Sequence, residues 1–65
     1  MMSLKSYFGK KVNIVDTNGQ PFSGIVDDYF FPEDNEHGLE SIVIKTGSGD
    51  FYEFTKETID KITVI

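Results

Sequence analysis

A chain of 65 residues carrying 11 acidic and 6 basic side chains, net charge −5, has room for one domain and one core, and at that size stability is marginal. It has no cysteine and a single histidine, His37, which excludes disulfides and argues against zinc, so dense aromatic packing or oligomerisation must compensate. Every basic residue is a lysine, and a net negative field repels a phosphate backbone unless those lysines gather on one surface.

No early segment has the basic-then-apolar form of a secretion signal, and no run approaches the length of a membrane span. The expectation is a soluble, cytoplasmic protein with no membrane partner, forming one domain over residues 1–65. In Ser3–Phe8 a capping serine is followed by Leu4 and Phe8 at helical spacing, with Gly9 as a left-handed stop, which predicts a short N-terminal helix sharing one apolar face. Lys11–Asp16 places Val12 and Ile14 on one side of a strand. Asn18-Gly19 then predicts a two-residue type I′ hairpin turn with positive φ at Gly19, and Pro21 can open the next strand.

That strand, Phe22–Phe31, is long. Phe22, Val26 and Phe30 alternate onto one face, and Ile25, Tyr29 and Phe31 onto the other, which predicts a bend, with Gly24 the natural place. Pro32–Gly38 reads as an acidic loop. Leu39–Thr46 is a third strand around Ile42-Val43-Ile44, read as buried on both faces, and Gly47–Asp50 is a tight turn. Phe51–Thr55 is a fourth strand, Lys56–Ile59 a helical turn and Lys61–Ile65 a fifth strand. Five short strands joined mainly by hairpins predict an all-β fold, a five-stranded small barrel of SH3-like or Sm-like form with a short N-terminal helix. Its expected core is Val12, Ile14, Phe22, Val26, Ile42, Ile44, Phe54, Ile59 and Ile62.

These residues resemble the Sm-like (LSM-type) family. Gly9-Lys10-Lys11-Val12, Asn18-Gly19, Phe22, Gly24 and Val26 look like its first motif, and Ile59 and Ile62 like the end of its second. The resemblance covers nearly the whole chain and is closest to small bacterial members. It implies ring-shaped homo-oligomers and RNA held by a stacking residue, an asparagine and an arginine. Counting from the matched positions, the family's aspartate falls near Phe30, its asparagine near Asp34, and its Arg-Gly pair on Thr55 and Lys56. The base-gripping residues are therefore replaced, and weak nucleic-acid affinity is expected.

Asp27, Asp28, Glu33, Asp34, Glu36 and His37 could offer oxygen ligands to a hard cation, but their spacing matches no calcium loop, and the reading is a solvated acidic loop with no metal or other cofactor. Tyr29-Phe30-Phe31 serves either as core filling or as a platform on which a partner stacks. The lysines are scattered and read as solubilising. No nucleophile motif or phosphate-cradling loop is present, so an enzyme is not expected. The candidate partner-binding residues are Tyr29, Phe31, Thr55 and Lys56. The leading expectation is a non-catalytic module for protein interaction or self-association, a homo-oligomer or a partner of another protein. Its edges are expected at the second half of the long strand and at the final strand. An RNA-binding ring is the alternative, and a metal-dependent or other enzyme a distant third.

Overall fold

The computed structural model describes residues 3–65, which form two 3-10 turns and five strands. The first turn, Leu4–Tyr7, stands where a helix was expected. Four residues cannot sustain an α-helix, and the tighter turn is the form that short segments adopt. Ser3 caps it through a bond from the Lys5 amide at 3.3 Å, and Gly9 stops it at φ +79°. The shared apolar face is not formed. Leu4 is fully buried, whereas Phe8 lies past the end of the turn and is 56% exposed.

Strands β1 (Lys11–Asp16), β2 (Pro21–Phe30), β3 (Ser41–Lys45), β4 (Phe51–Thr55) and β5 (Ile59–Val64) make one antiparallel sheet in the order β4-β3-β2-β1-β5. The fold is all-β. Strands β4 and β5 are consecutive in the chain yet stand at opposite ends of this order. A flat five-stranded sheet would hold them roughly 19 Å apart, whereas the link from Thr55 to Ile59 reaches at most about 14 Å. The link is tighter still, since the Thr58 amide bonds the Thr55 carbonyl at 3.1 Å in a turn, not a helix. The sheet therefore curls, with its concave side holding the core.

Three irregularities allow the curl. Across β2 and β3 the register shifts between Val26 and Asp28, leaving Asp27 as the extra residue of a bulge. A bulge reverses the alternation of the residues beyond it, so Tyr29 joins Phe22 and Val26 on the inner side, in place of the outward position that strict alternation assigned it. Across β1 and β5 the register shifts between Val15 and Asp16. At Gly24, paired with Val12, a Cβ would sit 2.9 Å from the Lys45 carbonyl carbon and closer still to its oxygen, so no side chain fits against the backbone at the end of the neighbouring β3.

The β1–β2 hairpin differs from the expected type I′ turn. Gly19 has φ +80°, as expected, but Asn18 has negative φ, and the loop is three residues long, closed by Asp16 N–H to Gln20 O and Gly19 N–H to Asp16 O, both at 2.9 Å. This is a type I turn followed by a left-handed glycine. Asp16 Oδ1 accepts from the Asn18 and Gln20 amides at 2.9 and 2.8 Å, which favours the longer loop over the two-residue turn. The β3–β4 hairpin repeats the device with Thr46 in the place of Asp16 and Gly49, φ +89°, in the place of Gly19.

Leu4, Val12, Ile14, Val26, Ile42, Ile44, Phe54 and Ile59 form the buried core. Phe22 and Ile62 pack against it half-buried, Phe22 with its ring 4.9 Å from Tyr52 and 5.1 Å from Phe54. Val43 is half-buried and not fully enclosed, because it faces the outer side between Ile42 and Ile44. Replacing the fully buried Ile44 by Ala is expected to cost about 2–5 kcal/mol, a large part of the stability of so small a domain. Chemical denaturation of Ile44→Ala with an unmoved midpoint would remove Ile44 from the core.

Candidate interaction surface

The acidic loop between β2 and β3 is folded back onto the sheet. A 3-10 turn, Pro32–Asp34, is followed by Asn35, whose side-chain amide donates to the Leu39 carbonyl at 2.7 Å and to Ser41 Oγ at 3.1 Å. Ser41 in turn donates to Glu53 Oε2 at 2.7 Å and is fully buried, the one polar residue so enclosed among those described. His37 Nδ1 accepts from the Leu39 amide at 3.1 Å. Among the described residues no three His, Asp or Glu side chains converge as a metal site.

This loop delivers Glu40 to the end of the sheet, where it ties three segments together. Its Oε1 accepts from the Leu4 amide at 2.8 Å, its Oε2 accepts from the Tyr29 hydroxyl at 2.8 Å, and Lys56 Nζ stands 3.5 Å from Oε1. The carboxylate is 15% exposed, and Lys56–Glu40 is the only ion pair among the described residues. The Leu4 N–H is the main reason that Glu40 is held below its ordinary pKa, helped by the Tyr29 hydroxyl and Lys56 against the cost of burial. The same bond to Glu40 is the main reason that Tyr29 is raised, with burial and the neighbouring carboxylates adding to it. Tyr29 is thus a neutral donor and Glu40 a charged acceptor at neutral pH.

Of the four candidate residues, Tyr29 and Lys56 meet through Glu40. Phe31, 43% exposed, sets its ring edge-on to Tyr29 at 5.2 Å, with Lys5 Nζ 5.1 Å above its face. Thr55 stands opposite Ser41 at the same end of the sheet, its backbone held by Thr58 Oγ1 at 2.9 Å. Pro32, Gly38, Leu39, Glu40 and Lys56 line a hollow of about 220 Å³ beside them. Glu40 and Lys5 were not singled out in the sequence. Glu40 lies 36 positions from Leu4, and no local pattern marks that pairing.

The outer strands present a second surface. β5 is an edge, as expected, and the other is β4; the second half of β2 is paired with β3 on one side. Ile65 N–H bonds Lys11 O at 2.9 Å, and antiparallel pairs alternate, so the Val64 and Ile62 amides point away from β1. Phe51 (58% exposed) and Tyr52 on β4 and Val64 (50%) on β5 add apolar area beside these free backbone groups. Comparison with protein-family models, curated proteins and solved structures gives no match.

The Glu40 contacts predict a pH dependence. A carboxylate whose folded-state pKa is lowered stabilises fully above its unfolded value, and that stabilisation is lost as pH falls through the lowered one. Glu40→Gln keeps an acceptor for Leu4 but not the charge, so its melting temperature is expected to lie below the parent's at neutral pH and to approach it in acid. Parallel curves across that range would show that Glu40 is not tied as described.

Proposed function

We propose that this chain is a non-catalytic assembly and interaction module of small-barrel, Sm-like type, which associates with copies of itself through strand edges. The observation that carries the reading is the sheet order. It leaves β4 and β5 as outermost strands, each with outward backbone groups and exposed apolar side chains. When β4 of one copy pairs with β5 of the next, every copy contributes one edge of each kind, and such a head-to-tail contact closes into a ring when its rotation permits. Charges on the edges, Glu53 on β4 and Asp60 and Lys61 on β5, favour one register over indiscriminate stacking.

A second reading, an RNA-binding ring, draws support from one cluster, the Tyr29 and Phe31 rings with Lys5 and Lys56 at the same end of the sheet. Against it, Lys56 is engaged by Glu40, Lys5 already covers the Phe31 face, and the chain contains no arginine. A titration with uridine-rich or adenine-rich oligonucleotides is expected to give weak, salt-sensitive binding at physiological ionic strength. Tight binding that survives added salt would promote this reading over the first.

Light scattering at micromolar concentration tests the assembly. A mass above that of one chain is expected, and Val64→Pro is expected to lower it, because proline removes an outward amide without touching the β1 ladder. A one-chain mass at every concentration would end the assembly reading.

A further inference from the structure

Across the outer side of the sheet, far from the Glu40 cluster, the strand pairings line up one residue from each of four strands. Phe51 on β4 stands opposite Lys45 on β3, Lys45 opposite Ile25 on β2, and Ile25 opposite Lys11 on β1. Ile65 bonds the Lys11 carbonyl through its amide at 2.9 Å and completes the row. The row alternates apolar and cationic side chains over the full width of the sheet, and all five are exposed, Ile25 by 51% and Ile65 by 57%. A groove of about 560 Å³ covers the middle of the row, where Lys11, Ile25 and Lys45 line it with Ser23, Asp27 and Thr46, while Phe51 and Ile65 lie outside it.

Nothing in the fold requires this row. Ile25 packs on no core, and neither Lys11 nor Lys45 has a carboxylate partner among the described residues. Lys45 Nζ lies 5.8 Å from the centre of the Phe51 ring, so cation and ring are already grouped. Asp27, the extra residue of the β2 bulge, is the only acid among the described residues that line the groove. Two lysines against one aspartate make the groove locally positive in a chain of net charge −5. At physiological ionic strength charges beyond about 8 Å are largely screened, so a ligand in the groove meets the lysines and not the net charge.

We propose that this groove binds an acidic segment of a partner protein, one in which carboxylates flank an apolar side chain. Lys11 and Lys45 lie two strand spacings apart, roughly 10 Å, with Ile25 between them. A segment of that pattern sets its apolar side chain against Ile25 and a carboxylate within reach of each flexible lysine stem. A nucleic-acid strand is a poorer occupant. The centre of the row is aliphatic and offers no stacking face, and two lysines engage few phosphates.

The test is a fluorescence-anisotropy titration of the full chain with the labelled peptide Glu-Asp-Leu-Asp-Glu, beside its uncharged counterpart Gln-Asn-Leu-Asn-Gln. The acidic peptide is expected to bind and the uncharged one to bind at least about tenfold more weakly, with affinity falling as salt rises. Lys11→Glu with Lys45→Glu is expected to abolish binding of the acidic peptide and to create binding of Lys-Lys-Leu-Lys-Lys. Ile25→Ser is expected to weaken the acidic peptide while leaving the melting temperature unchanged. Equal binding of the two leucine peptides, indifference to the lysine reversals, or retention only of an oligonucleotide would overturn the proposal. So would a groove already filled by a second copy, seen as a fall in solution mass with the lysine reversals. Val64→Pro, which addresses the strand edges, is expected to leave peptide binding intact, so this site and the edge assembly fail separately.

Discussion

The fold depends on one constraint: the outermost strands of a five-stranded sheet are joined by a turn of three residues, Lys56–Thr58. That link forces the sheet to bend around its own inner face. Bending needs places where the ladder yields, and the chain supplies them at Gly24, at the Asp27 bulge and between Val15 and Asp16. The eight core residues fill the concavity that results, and Leu4 enters it from outside the sheet altogether. The Thr17 amide bonds the Thr58 carbonyl at 3.1 Å, fastening the end of the first hairpin to the same turn.

Leu4 connects this constraint to the candidate surface. A buried residue in a four-residue turn has few bonds of its own to hold it, and its amide is satisfied by Glu40 from the far side of the acidic loop. The charge cluster at Tyr29, Glu40 and Lys56 therefore serves the fold before it serves a partner. A ligand drawn to Lys56 must compete with Glu40 for it. The outer groove differs, since its lysines are committed to no carboxylate among the described residues.

Much of the architecture was legible in the sequence because alternation and turn residues are local. Lys11–Asp16 and Phe51–Thr55 have the limits that their patterns predict, and seven of the nine expected core residues are buried, the other two half-buried against them. Legibility ended where one residue changes the outcome of many. Asp27 gives no sign that it will be a bulge, yet it turns Tyr29 inward. Asp16 has the look of a strand end, yet its side chain lengthens the hairpin loop. Glu40 and the row from Phe51 to Ile65 depend on strand pairing between distant segments, which periodicity does not encode. Tyr29, Phe31, Thr55 and Lys56 do share one end of the sheet, but no local pattern marks Glu40, the group at their centre.

The sheet order also has a kinetic side. Three of its four ladders are hairpins between neighbouring strands, formed by residues close in the chain. The fourth joins β1 to β5, pairing Val12 with Val64. Closing so long a loop carries the entropic cost that slows β-rich proteins, and nothing local rewards it in advance. The three hairpins can assemble first, while β1 waits with one side bare until Ile59–Val64 pairs with it. Through that interval the vacant side of β1 is the place most open to a wrong strand, and the speed with which β5 arrives sets how long it stays so.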